Sequence, residues 1–252
     1  MSADSIQVVT VMGKKPDPVK EWYYRPELMI RSCQKFGYTP VILGQKEGEY
    51  RGLGSKAKLL KKALHDGTIT ASHILFVDAF DIVFGASPLD VVNEFLAMQA
   101  VIPAHPSIIW SSERACFSDA SLAPLHPPCK SSFKYLNSGF SVGESGGFRK
   151  FYAEFDPDEM IDDYQDAQGT WHFMDDQNHA MVAFLKGSLS MALDTNCRIC
   201  QNYCDVLPEE IEISDKGIRN IETDTYPLIH HFNGPSKSGP MVDPILKRLG
   251  YQ

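Results

Sequence analysis

The chain has 252 residues, with 24 Lys and Arg against 32 Asp and Glu, a formal charge of −8 with His neutral. Hydrophobic residues make up 43% and charged residues 22%, which excludes an intrinsically disordered chain. No apolar run approaches the roughly 20 residues of a membrane span, and the acidic balance argues against nucleic acid as the main partner. From Met1 to Ser5 there is neither a basic n-region nor an apolar h-region, so the expectation is a cytoplasmic chain with free thiols. Gln7 to Val11 reads as a buried first strand, Pro26 to Phe36 as a helix stopped by Gly37, and Thr39 to Leu43 as a second strand. A turn at Gly52–Ser55 leads into a helix from Lys56 to His65. Its lysines are a solvated face, Lys56 excepted. His73 to Val77 reads as a buried parallel strand and Pro88 to Met98 as a helix. Val101–Pro103 and Ile108–Trp110 read as short strands, and Cys116 to Lys130, rich in Pro, as a loop. Tyr135 to Val142 is a strand with glycines. Asp176 to Lys186 is a helix, capped by Asp175 or Asp176 and ended by Gly187. Short strands follow near Leu189, Ile211, Ile218 and Leu228.

Alternating strands and helices in the first half predict an α/β fold with a parallel sheet, in one domain over residues 1–252. Nothing in the sequence sets the oligomeric state. Cys197, Cys200 and Cys204 have short metal-like spacing, but no fourth ligand closes a zinc site. Small buried residues on an irregular strand are the favoured reading. Trp22–Arg25 would stack a sugar or pack a helix start. Trp171, His172 and Phe173 stand just before Asp175 and are candidates to pack against a bound substrate.

Two features carry chemistry. Asp78 and Asp81 follow the third strand, at the edge where open α/β sheets bind ligands. Both can reach one hard cation such as Mg²⁺ or Mn²⁺, the competing reading being solvated turn residues. Near the C-terminus, His230 and His231 are adjacent, so in a strand only one of them points at the acids. Asn233-Gly234-Pro235 is a turn suited to a phosphate, with Lys237 as a point charge. A surface turn with a satisfied His is the alternative.

The order Lys56–Lys62, Leu75–Phe84, Tyr135–Gly139, Asp175–Gln177 and Ile218–Lys237 resembles the glycosyltransferase domain of the multifunctional procollagen lysyl hydroxylases. It is less closely similar to the collagen galactosyltransferases. The resemblance implies a GT-A fold, a Rossmann-like, mostly parallel sheet flanked by helices, that binds a UDP-sugar with Mn²⁺. It implies metal binding by Asp78, Asp81 and His231, a uridine contact at Thr10, and nucleotide packing by Phe80. Lys56, Gly234 and Lys237, with Asn233 beside them, match diphosphate-side positions, and Asn137 matches a residue near the donor sugar. Asp175 and Asp176 match acids facing sugar and acceptor, and Glu113 matches an active-site rim glutamate. The helix dipole at Asp175 and Asp176 favours an ionised carboxylate, suited to orienting a hydroxyl or taking the acceptor's proton. The chain departs from the family where Glu113 to Ser118 lacks a Trp and a Pro, where the acidic run shortens to two, and where Leu59 replaces a Trp.

The implied function is metal-dependent transfer of glucose or galactose from a UDP-sugar to a hydroxyl on a protein, such as hydroxylysine, or on a glycan. The competing readings are a non-catalytic nucleotide-sugar-binding relative and a metal-dependent phosphoryl-transfer enzyme.

Overall fold

Apolar residues at successive positions of the central strands bury both faces of one sheet. In β1 (Ile6–Val11), Val9 and Val11 pack to one side and Ile6 and Val8 to the other. The chain continues through α1 (Pro26–Lys35), β2 (Val41–Leu43), α2 (Gly54–His65), β3 (His73–Asp78), β4 (Ile82–Phe84), α3 (Pro88–Val101), β5 (Ile108–Glu113) and β6 (Tyr135–Glu144). Then come α4 (Ser145–Glu154), β7 (Tyr164–Gln165), β8 (Trp171–His172), α5 (Asp176–Lys186), β9 (Met191–Asp194) and β10 (Cys200–Asn202). The hairpin β11 (Ile211–Ser214) and β12 (Gly217–Asn220), the strand β13 (Ile229–His231) and α6 (Val242–Arg248) follow. The structure, a computed structural model, describes residues 5–13, 26–117, 119–159, 164–165, 171–172 and 175–251. Trp22–Arg25 and Phe173 lie outside these residues.

The main sheet has six strands in the order β2-β1-β3-β6-β5-β9. All pairs are parallel except those of β6, which runs against both β3 and β5. The sheet is mostly parallel, as expected, and β6 is the exception that the sequence does not mark, because a strand buried on both faces carries no signal of its direction. Leu60 and Leu64 of α2, Phe148 and Phe151 of α4, and Ala180 and Met181 of α5 cover one face. Met29 of α1 and Val91, Val92 and Phe95 of α3 cover the other, together with Phe84 and Ile229.

Three further differences have local causes. Val101–Pro103 is no strand: Val101 closes α3, and the Ile102 N–H donates back to the Met98 carbonyl. α4 escapes notice because it opens on Ser-Gly-Gly. A Cβ at Gly147 would lie 2.8 Å from the Ser107 side chain, so the helix start needs glycine to sit on the sheet. β10 carries Gln201 and Asn202, two buried polar residues that hide a core strand. It joins a second sheet, β10-β13-β4, that sits beside the main one and carries the His pair.

Candidate metal and nucleotide-sugar site

β3 ends at Asp78, the chain turns through Ala79 and Phe80, and Asp81 leads into β4. β4 pairs antiparallel with β13, which sets His231 opposite Ile82. The Phe232 N–H donates to the Asp81 carbonyl at 2.8 Å and locks the turn to that strand. Alternation along β13 separates the two histidines. His230 meets the Tyr203 hydroxyl through Nδ1 at 2.8 Å, and burial pushes its pKa down to about 3, so it is neutral. His231 faces the acids, its Nε2 3.9 Å from Asp78 Oδ2 and 3.5 Å from Asp81 Oδ1.

Each aspartate divides its oxygens. Asp78 gives Oδ1 to Lys56 at 2.9 Å, and Asp81 gives Oδ2 to Lys237 at 3.0 Å, which leaves one oxygen of each facing His231. Lys56 also holds Asp176 Oδ2 at 3.0 Å. Burial opposes the Lys56 charge, but Asp176 and Asp78 outweigh it and keep the ammonium well above the ordinary lysine range. Burial likewise opposes ionisation of Asp81, yet Lys237, together with His231 whenever its ring is charged, holds it below the ordinary carboxylate range.

The ligand atoms of Asp78, Asp81 and His231 lie within 4.8 Å of one another, and among the described residues this is the one His/Cys/Asp/Glu group that converges so. His231 Nε2 is buried and makes no hydrogen bond. Gly139 of β6 gives the cluster its room: a Cβ there would stand 2.2 Å from His231 Cε1 and 3.0 Å from Asp78 Oδ2. Two carboxylate oxygens and an unpartnered imidazole nitrogen around a glycine-lined space fit a divalent cation such as Mn²⁺ or Mg²⁺. Cys197 and Cys200 are buried free thiols, their pKa values raised by burial.

The remaining predicted residues divide into two groups. Glu113 is not on a rim; it is 3% exposed. Its carboxylate accepts from three side-chain amides, Asn137 at 3.0 Å, Gln177 at 2.8 Å and Asn233 at 2.8 Å. That hub joins β5, β6, α5 and the turn after β13. Burial raises the Glu113 pKa against these amides. Asn137 and Asn233 therefore spend their amides inside the protein, and Asn233 Oδ1 also accepts from the Cys204 N–H. The Thr10 hydroxyl is buried and donates to the Val77 carbonyl at 2.7 Å. Phe80 lines a small cavity with Leu28, Phe232, Val242 and Leu246, together with the charged pair Asp81 and Lys237. Gly234 opens a short 3-10 turn, Gly234–Ser238, which carries Lys237 back to Asp81.

At α5, Asp175 is the N-cap, its Oδ1 accepting from the Gln177 N–H at 2.9 Å. Asp176 is buried beside Lys56. Burial outweighs Lys56 and raises its pKa to about 6, above the ordinary carboxylate range despite the helix terminus. Gln177, which carries no chemical role in the sequence reading, also accepts from the Ser138 N–H and donates to the Phe117 carbonyl. Asn202 and Asp194 were also missed. Their one signal is polarity within apolar surroundings.

The PLOD GT domain family model matches residues 2–240. The chain belongs to this glycosyltransferase-domain family. Procollagen-lysine,2-oxoglutarate 5-dioxygenase 1 of Bos taurus is 29% identical over 243 residues, covering 93% of this chain and 30% of that protein. The human multifunctional procollagen lysine hydroxylase and glycosyltransferase LH3 is 28% identical over 256 residues, covering 94% and 31%. The chain thus spans about a third of the length of these relatives. Among solved structures, apo mouse xyloside xylosyltransferase 1 superposes with a TM-score of 0.53 at 11% identity, covering 92% of this chain and 98% of that one. A glycosyltransferase involved in glycosylation of the major capsid of PBCV-1 gives 0.50 at 10% identity, covering 98% and 97%. The fold is GT-A, an α/β fold with a mostly parallel sheet flanked by helices. No helix among the described residues is long and apolar enough to cross a membrane.

Proposed function

We propose that this chain transfers a hexose, glucose or galactose, from a UDP-sugar to a hydroxyl acceptor on a protein or glycan. The observation that carries this reading is the convergence of Asp78, Asp81 and His231 with an unpartnered, buried Nε2. These three residues would hold Mn²⁺ or Mg²⁺, which when bound supplies positive charge against the diphosphate and the leaving UDP. Lys56 and Lys237, each on one of the metal-facing acids, would add positive charge against the donor's phosphates. Asp175 is more exposed than Asp176 and is the candidate to orient or deprotonate the acceptor hydroxyl. Glu113 acts as a positioning residue, tying together the elements that wall the site. Among the described residues no second carboxylate cluster stands by for another metal, which favours glycosyl over phosphoryl transfer.

The test is a screen of UDP-sugars for UDP release with and without Mn²⁺. Release with one or more sugars, dependent on Mn²⁺ and lost when Asp78 and Asp81 are both changed to Ala, is the expected outcome. Mn²⁺-dependent release that survives the double change sinks the metal assignment. UDP and Mn²⁺ binding with no release for any sugar favours the non-catalytic sugar-binding relative.

A further inference from the structure

The unassigned side chain closest to the proposed metal centre is Asn202. β10 runs parallel to β13 and sets Asn202 opposite His231 in the ladder. Asn202 is fully buried. Its Nδ2 donates to the Ser112 carbonyl at 2.8 Å, which fixes the other end of the amide. Oδ1 therefore faces His231 Nδ1, at 2.6 Å. An amide oxygen only accepts, so Nδ1 must carry a ring proton, and in the neutral ring that leaves the lone pair on Nε2. The consequence is large here because two carboxylates flank Nε2. A ring free to choose would put its proton on Nε2 and donate to Asp78 or Asp81. The three residues would then satisfy one another and leave no lone pair for a cation.

The strand that carries Asn202 is itself anchored. Buried Asp194, at the end of β9, accepts from the N–H groups of Arg198, Ile199 and Cys200 at 2.9, 2.7 and 3.0 Å. Three hydrogen bonds to one carboxylate fix the turn into β10 and so the height of Asn202 against β13.

We propose that Asn202 is a positioning residue of this site: it holds His231 in the Nδ1–H tautomer and so keeps Nε2 open to a divalent cation. The inference rests on the metal reading of the preceding subsection, but its first half is a property of the metal-free protein. An outer hydrogen bond of this kind typically changes metal affinity by about 10–100-fold.

The tautomer of the neutral ring is read in metal-free protein from the ¹⁵N shifts of the histidine rings, with His231 assigned by loss of its signals in His231→Gln. Mn²⁺ affinity is read separately from the EPR signal of the free ion. The wild type is expected to show Nδ1–H at His231. Asn202→Ala should move the proton to Nε2 and weaken Mn²⁺ by about 10–100-fold. Asn202→Asp keeps an acceptor for Nδ1–H and loses the donor to Ser112, so it should retain both the tautomer and most of the affinity. An Nε2–H ring in the wild type overturns the proposal, and that result does not depend on any variant folding. So does equal loss of Mn²⁺ in Asn202→Asp and Asn202→Ala, which would assign the role to the Ser112 bond. A wild-type ring of the Nδ1–H form that binds no Mn²⁺ overturns the metal reading while upholding the tautomer lock.

Discussion

At the scale of single residues, the site is built from side chains that each face two ways. Gly139 is the tightest case, since its missing Cβ is the space between His231 and Asp78. Gly139→Ala should cost about 1–3 kcal/mol of stability through overpacking. It should also weaken Mn²⁺ binding at least about tenfold, as read by urea denaturation and by metal titration. Unchanged Mn²⁺ affinity in that variant would show that the ion does not sit in this space. Asp176 gives a pH signature. It titrates at 3.8 in an ordinary setting and at about 6 in the fold, where burial opposes its charge and Lys56 only partly compensates. Between those values the folded state holds the extra proton, so this group's contribution to stability falls as pH rises from 4 to 6 and is flat above. The full change is about 3 kcal/mol. Asp176→Asn should remove that slope from a plot of denaturation midpoint against pH; a parallel plot for variant and wild type would contradict the raised pKa.

At the scale of elements, one residue can serve both a helix and the chemistry, and the two roles separate by substitution. Asp175 caps α5. Asp175→Ala should cost about 1 kcal/mol, whereas Asp175→Asn keeps a good cap and should leave the melting temperature nearly unchanged. If Asp175 handles the acceptor, Asp175→Asn nonetheless loses transfer; full transfer by Asp175→Asn leaves the residue only its cap. The same distinction explains what the sequence could show. Asp78 and Asp81 were legible because they sit three positions apart, directly after a strand of uninterrupted apolar residues. The choice of one His from the pair followed from strand alternation. Asn202 was not legible, because it stands 29 positions before His231 and reaches it only through the β10–β13 ladder. Glu113 was visible as an acid but not as a hub, since its partners come from three elements far apart in the chain. The reversed direction of β6 was hidden for the reason that made β6 recognisable, its burial on both faces.

At the scale of the whole molecule, a net charge of −8 and an anionic donor are compatible if the cation and two lysines set the local charge. Ligand binding should then register as global stabilisation. At about 100 times its dissociation constant, a ligand of the native state adds about 2.7 kcal/mol. For a chain of this size that is a rise in melting temperature of roughly 5–10 °C. UDP with Mn²⁺ should give this rise together and much less separately; an equal rise with UDP alone would remove the ion from donor binding. The His pair sets a further constraint, on chain length. β13 is three residues long, and its phase decides which ring meets the acids. One residue inserted between Tyr226 and Ile229 and carried into the strand would leave the motif intact while moving His230 into the place of His231 and Ile229 into that of His230. The ring now against Tyr203 would face Asp78 and Asp81, and the Tyr203 hydroxyl would lose its partner. Homologous chains that keep the site should therefore keep the spacing from Leu228 to Asn233, which behaves as a reading frame.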